Sequence, residues 1–369
     1  NIVPNDPSDT IFQAYIPIGS ASPEYAGKFY SNLNETLKSF SLDAIVPFNA
    51  FNQKQTFKFG IYNQWKSRSF DARVLGYIIN DVAKFYSQNP NALQILEQGP
   101  SDIFSPDNIA LNCFRIDDIT NASDAYTASS SLNAFYLMFD NKFTDKLRFI
   151  WGARGEMFSQ NLSSFNYSLD TIEVHTKSAD ANVLPFDFLP SANLIYSPTE
   201  KVNIRLSASH TLSRPEFREL APFAFYDFTT SSTIIGNDSL TRTNIYNYDF
   251  RIEKFYGKGQ VVSASAYYKK FTNPVEQIVD VGSGAGSRIR TFENVPVANN
   301  YGFEFELRKN FDFISKAIDW KQWENFVFST NLSYIKSVVQ LGNFSSGKDS
   351  IRPLQGQSPY IVNFSLQYN

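Results

Sequence analysis

Between Leu212 and Phe228 the sequence sets four charged side chains, Arg214, Glu216, Arg218 and Glu219, just ahead of four rings, Phe223, Phe225, Tyr226 and Phe228. Guanidinium and carboxylate groups in such a run contact a polar ligand or hinge a loop; they equally well brace a wall through ion pairs. The rings stack on a sugar or an aromatic ligand, or pack a loop onto itself. On sequence alone both readings of each set stand. A second charged set, Arg148, Arg154, Arg205, Arg251, Glu253, Glu304 and Glu306, is spread over alternating segments. Signals for catalysis are thin. His175 and His210 are the only histidines and lack zinc-like spacing. There is no Gly-x-Ser-x-Gly elbow and no phosphate loop, so no catalytic residue, metal or cofactor is expected. Asp117-Asp118 reads as a solvated pair, and the lone Cys113 rules out an intramolecular disulfide. Triplets such as Asn121-Ala122-Ser123 match a glycosylation acceptor, but similar ones at Asn331 and Asn363 fall inside expected strands and carry no weight.

The elements that must hold these groups follow from a period of two. Val202, Ile204, Leu206 and Ala208 are apolar, and Lys201, Asn203, Arg205, Ser207 and Ser209 between them are polar. Val262, Ala264, Ala266 and Tyr268 repeat the pattern against Ser263, Ser265, Tyr267 and Lys269. A strand sends successive side chains to opposite faces, so each segment has one oily and one wet face. About eleven such strands are expected, near 37–48, 55–77, 128–139, 146–158, 188–197, 201–212, 244–255, 260–271, 300–309, 325–335 and 359–368. A change of phase at Ser67 to Phe70 suggests a bulge. Connections alternate between short turns and long loops, at 78–125, up to about 186, 213–243, 272–298 and before 359. That alternation, with strands of about ten residues, is the pattern of an antiparallel transmembrane β-barrel with its long loops outside the cell. The charged set above then faces the lumen, because Arg on the lipid face costs about 2–4 kcal/mol at the midplane. Phe143, Tyr196, Tyr256, Trp323 and Tyr368 are expected at the inner interface, and Tyr268, Phe271, Tyr334 and Tyr360 at the outer one.

Composition agrees. The 369 residues include 35 Phe and 20 Tyr, and aromatics make up 16%, which suits a pleated surface. A net charge of −3 gives no footprint for nucleic acid. No run of about 18 apolar residues suggests a spanning helix, and the polar, Pro-containing stretch Asn1 to Asp9 is no signal peptide. A soluble β-sandwich would alternate in the same way, but its strands are typically about 5–6 residues long, and its connections need not alternate. An odd strand count is not typical of closed bacterial barrels. Residues 1–36 read as an entering loop and Asn369 as the end of a descending strand. The expectation is one barrel segment, 1–369, with final strands lying outside this sequence.

Leu212-Ser213-Arg214-Pro215-Glu216-Phe217-Arg218-Glu219-Leu220-Ala221-Pro222-Phe223 resembles the barrel of TonB-dependent outer-membrane receptors, especially those of Bacteroidetes-type bacteria. Further text follows in order: Ile235-Gly236-Asn237-Asp238-Ser239-Leu240, where Asp238 replaces the usual proline; Asn247-Tyr248-Asp249-Phe250-Arg251; Tyr268 to Glu276; Asn300 to Glu306; and Gly356-Gln357-Ser358-Pro359-Tyr360. The resemblance covers about 186–369. It implies a roughly 22-stranded barrel around an N-terminal plug, in the outer membrane of a Gram-negative bacterium. There, external loops capture a scarce ligand and an inner-membrane TonB complex pulls on a TonB box to release it. Neither plug nor TonB box is in this sequence, so the TonB complex is an expected partner through a region not present here. A surface lipoprotein, membrane lipid and lipopolysaccharide are the other expected contacts; nucleic acid is not. A barrel of the same descent serving assembly, secretion or surface binding, with no import cycle, is the alternative.

Overall fold

The computed structural model describes residues 2–4, 12–22, 25–168, 171–179, 186–257, 259–280, 289–342 and 350–368. Among these, eleven long strands form one antiparallel sheet: β1 (Gly27–Ala50), β2 (Gln53–Ile79), β3 (Ala125–Lys142), β4 (Leu147–Ser168), β5 (Phe186–Thr199), β6 (Val202–Ser213), β7 (Thr243–Gly257), β8 (Gln260–Thr272), β9 (Val297–Asn310), β10 (Phe326–Gln340) and β11 (Tyr360–Tyr368). Each pairs with its neighbours in sequence. At one end the connections are tight, at 51–52, 143–146, 200–201 and 258–259; the exception, 311–325, carries the short helix Asp312–Ile318. At the other end all connections are long. β1 pairs only with β2, and β11 only with β10, so among the described residues the sheet does not close.

Register lines up the two faces across the sheet. On one face Phe149, Leu194, Leu206, Phe250, Ala266, Phe303, Tyr334 and Tyr360 are successive cross-strand partners. One step along, on the opposite face, the row reads Arg148, Ile195, Arg205, Arg251, Ser265, Glu304, Ser333 and Ile361. Large apolar side chains stay exposed on the first face, with Leu206 at 52% and Phe303 at 52%. A face left that oily has to be covered by something other than water. Along β7 its outward residues run from Lys254 through Ile252, Phe250, Tyr248 and Tyr246 to Asn244. The ten steps between those two polar ends, at about 3.4 Å each and tilted by about 40°, span roughly 26 Å, which brackets the band of a membrane barrel.

Several expectations are corrected. The first strand begins at Gly27, inside the stretch read as a loop. No bulge interrupts Ser67 to Phe70: β2 keeps one register with both β1 and β3. What changes there is the environment. Above that height Phe70, Ala72 and Val74 lie under folded-over loops, while Ser67 and Ser69 on the other face have left the apolar band. β1 to β4 therefore run far longer than the roughly ten residues a bilayer needs. Phe271 is not in the outer girdle. It sits on the polar face against the buried Val295, Ala298 and Val339, whereas Tyr268 stacks with Tyr248 and Tyr301 on the apolar face. The long connections are not plain loops. Residues 80–113 carry three short helices around a core of Phe85, Leu96, Ile103, Cys113 and Phe114. Parts of 213–243 and 272–298 form a separate four-stranded sheet, Ala224–Asp227, Ser232–Ile235, Ile289–Asn294 and Val275–Asp280. Lys258, the middle of the Gly-rich segment at 281–288, residues 343–349 and Asn369 lie outside the described residues.

Candidate functional site

The segment joining β6 to β7 is clamped at both ends to one carboxylate. Arg214, just past β6, places Nη2 2.9 Å from Glu156 of β4 and 2.9 Å from Asp187 of β5. Arg242, just before β7, places Nε 3.0 Å from the other oxygen of Asp187. The Arg214 guanidinium also lies 4.4 Å over the Phe158 ring. Glu156 and Asp187 are buried, so this carboxylate pair needs both arginines to compensate its lost hydration. A planar guanidinium that reaches two carboxylates is the group suited to the task.

Between the clamps the chain turns through Phe217–Leu220, where Glu219 accepts a 2.8 Å hydrogen bond from the Glu216 N–H. Phe217, Leu220, Ala221, Phe223 and Leu240 are buried against Ala72, Tyr126, Ala128 and Leu162 on the polar face of β2 to β4. Lys66 bridges Glu216 at 3.5 Å and Glu35 at 3.3 Å, and Lys66 and Arg68 both lie over the Phe217 ring. Arg218 turns into the loop, donating to the Phe223 carbonyl at 3.2 Å and the Ile234 carbonyl at 3.0 Å, with the Phe223 ring 4.9 Å away. Burial pushes the Arg218 pKa down and the Glu219 pKa up. The Gly236-Asn237 text has a mechanical reason. A Cβ at Gly236 would overlap the Ala221 carbonyl oxygen, and Asn237 donates to the carbonyls of Glu219 (2.6 Å) and Phe292 (2.8 Å).

Of the eight residues singled out in this stretch, Arg214, Glu216, Arg218, Glu219 and Phe223 are engaged within the protein in this way. Phe225, Tyr226 and Phe228 line a cleft of about 970 Å³ at the long-loop end, and Phe225 also packs against the buried cluster beside Phe223. Its other walls include Lys28 and Phe29 of β1, Val74 of β2, and Thr120, Asn121 and Asp124. Phe29 meets Phe225 edge-on at 5.3 Å, and Phe228 is 79% exposed. Asp118 also borders the cleft; hydrogen bonds from the Thr120 hydroxyl and backbone, with Arg73 behind, hold its pKa below the usual carboxylate range. Asp124, buried under the turn it caps, is pushed the other way. Rings beside hydroxyl, amide and carboxylate groups suit a ligand with both flat apolar faces and hydrogen-bonding edges.

The second charged set shares the polar face and is cross-linked. Arg148 bonds Asp140 at 2.7 Å, Arg154 bonds Glu156 at 2.6 Å, and Arg205 bonds Glu253 at 2.9 Å. Arg251 joins Glu253 at 2.8 Å and Glu306 at 3.0 Å, and Glu304 accepts from Ser265 at 3.3 Å. His210 stacks on Tyr246 at 4.6 Å, while His175 falls in the strand Thr171–Ala179. Among the described residues no group of three or more His, Cys, Asp or Glu is placed to hold a metal ion. Sequence reasoning missed Asp187, Arg242, Lys28 and Phe29. Asp187 and Arg242 carried one usable signal, a charge at a strand end beside a long loop; Lys28 and Phe29 carried none.

A wall of paired strands, with ion pairs on one face and bare hydrocarbon side chains on the other, has a family counterpart. Residues 9–369 match the TonB dependent receptor-like β-barrel model. The chain belongs to this family. Solved receptors share the fold at low identity. The ferric yersiniabactin uptake receptor of Yersinia pestis superposes with a TM-score of 0.57 at 10% identity, over 94% of this chain and 42% of that one. The ferric-catecholate import receptor of E. coli K12 gives 0.55 at 11%, over 92% and 42%. The alcaligin outer-membrane receptor of Bordetella pertussis gives 0.51 at 13%, over 93% and 44%. This TonB-dependent receptor segment spans less than half the length of those receptors. Among curated protein sequences none matches the chain.

Proposed function

We propose that the complete protein is an outer-membrane receptor of a Gram-negative bacterium that captures a scarce extracellular ligand and imports it with energy from the TonB complex. The observation that carries the reading is the clamped segment 214–242: an ion-paired, loop-covered mouth over the polar face, with an aromatic cleft beside it. In this reading the polar face is the lumen wall, the apolar face meets lipid, and the long loops stand outside the cell. Phe225, Tyr226 and Phe228 contact ligand, while Arg214, Glu216, Arg218 and Phe223 hold the loop that presents them. The plug and TonB box belong to parts of the protein outside this sequence. The resemblance around Leu212–Phe223 supports a Bacteroidetes-type source. A receptor of this kind needs no catalytic residue and no resident cofactor.

The test uses the full-length receptor in a receptor-deficient strain, offered radioactive iron as ferric siderophores and, separately, fluorescent oligosaccharides. One probe class should enter only when the TonB complex is intact. Phe225→Ala combined with Tyr226→Ala should weaken its apparent affinity by about tenfold or more, the scale of losing aromatic anchors. Uptake indifferent to the TonB complex would overturn the reading in favour of an assembly or secretion barrel without an import cycle.

A further inference from the structure

The separate four-stranded sheet has two edges, and the chain treats them differently. Strand order puts Val275–Asp280 at one edge and Ala224–Asp227 at the other. The first edge is capped. The Gln277 carbonyl accepts hydrogen bonds from the side chains of Arg352 and Gln355, each at 3.1 Å. The buried Glu276 holds Arg352 there, 2.6 Å from its Nη2. The wall holds it too, because Ile351 and Arg352 pair with Gln340 and Val339 of β10. The second edge is open. Among the described residues Ala224–Asp227 pairs with Ser232–Ile235 alone, and no side chain bonds to its backbone. Folded proteins cap, charge or cover an edge that must stay single, and an open one is a template for a further extended chain.

The aromatic cleft meets this open edge from the side. Successive side chains of a strand point to opposite faces, yet the consecutive residues Ala224, Phe225 and Tyr226 all line the cleft. A cavity lined by both faces of one strand lies beside its edge, where alternate N–H and C=O groups point. Across the cleft stand Phe29 and Ile119, with Thr120 and Asn121. Among the described lining residues Lys28 is the one cation, against Asp118 and Asp124, a balance ill matched to a multiply anionic chelate.

From the capped edge, the open edge and the cleft lined by both faces of the open strand, we infer that the ligand taken there is an extended peptide, which adds to the external sheet as a fifth strand along Ala224–Asp227. Main-chain hydrogen bonds give such a ligand its affinity, and pockets for alternate side chains give selectivity. One set of its side chains falls beside Phe29 and Phe225, the other beside Tyr226. The inference rests on the reading of this cleft as the capture site and supplies the ligand's chemistry.

The experiment uses the complete receptor in detergent, offered a tryptic digest of casein. Bound peptides are identified by mass spectrometry, and the most enriched one is synthesised with a single N-methyl group placed at each backbone nitrogen in turn. N-methylation at alternate residues should weaken binding roughly tenfold, the scale of a lost main-chain hydrogen bond in a desolvated site, and at the residues between should leave it nearly unchanged. The unmodified peptide should slow amide exchange in 224–227 and leave β7 unaffected. No enriched peptide, or losses without that period of two, overturns the strand seat. The uptake test gains a fluorescent form of the same peptide as a third probe class, and this class should be the one that needs the TonB complex. TonB-dependent entry of a siderophore or oligosaccharide in its place overturns the peptide seat and leaves the receptor reading intact. A period-two pattern with entry indifferent to the TonB complex does the reverse.

Discussion

At Asp187 two arginines from opposite ends of one loop converge on a single buried carboxylate. Removing Arg214 would leave Asp187 half-compensated and Glu156 with Arg154 alone. Uncompensated buried charge costs about 3–5 kcal/mol, so Arg214→Ala should release the 214–242 segment. Amide hydrogen exchange across 217–240 should rise at least tenfold while exchange in β6 and β7 holds; unchanged exchange in the loop would refute the clamp. Asp227 offers a pH-dependent counterpart. Hydrogen bonds from the Thr229 and Thr230 hydroxyls hold its pKa at about 2, below the ordinary 3.8. A depressed carboxyl stabilises the fold above the unfolded value and loses that contribution as pH falls from about 3.8 toward 2. The turn Asp227 to Ser232 should therefore keep its order at pH 4 and lose it only below pH 3. A side-chain NMR titration checks this, and Thr229→Ala with Thr230→Val should return the carboxyl toward its ordinary value.

The strands carry the argument about faces. Leu206 belongs to the row shared with Phe250, Ala266 and Phe303, and Ser207 to the row shared with Asp249 and Asn193. Leu206→Arg should lower folded yield in lipid far more than Ser207→Arg, by the roughly 2–4 kcal/mol that an arginine costs at the midplane of the lipid face. Equal yields by heat-modifiable migration would reverse the assignment. The helical connection after β2 makes a separate claim. Phe85 is fully buried there, and Cys113 packs in the same core with its thiol pKa raised by burial. Cys113 should resist alkylation at pH 8 in the folded protein. Phe85→Ala, which opens a cavity worth about 3–5 kcal/mol, should make it reactive. Both results follow from packing that no period in the sequence announces: the apolar side chains of residues 80–113 follow no regular spacing and meet only when three short helices fold back together.

At the scale of the molecule, the eleven long strands leave two edges unpaired among the described residues. Backbone groups left unpaired in hydrocarbon cost several kcal/mol each, so the wall is stable in a bilayer only once further strands close it. The complete receptor, extracted in detergent, should run faster on a gel unheated than boiled, as a closed barrel does. A protein that stays soluble without detergent and shows no such shift would be a sandwich instead.

Alternation of side chains fixed the number of wall strands, their partners and their faces, because a period of two is a local property that a bilayer turns into inside and outside. The same local text placed Arg251, Glu253, Glu304 and Glu306 on one face without saying which of them pair. It also put Phe271 in the wrong ring, since nothing local tells a girdle residue from one buried under a loop. Only tertiary structure decided that Arg214 and Arg242 share Asp187, and that Phe223 is buried while Phe225, Tyr226 and Phe228 line a cleft. Each of those juxtapositions joins residues brought together by strand register and loop folding, and the energy that selects them, burial and charge compensation, exists only after the chain has closed over itself.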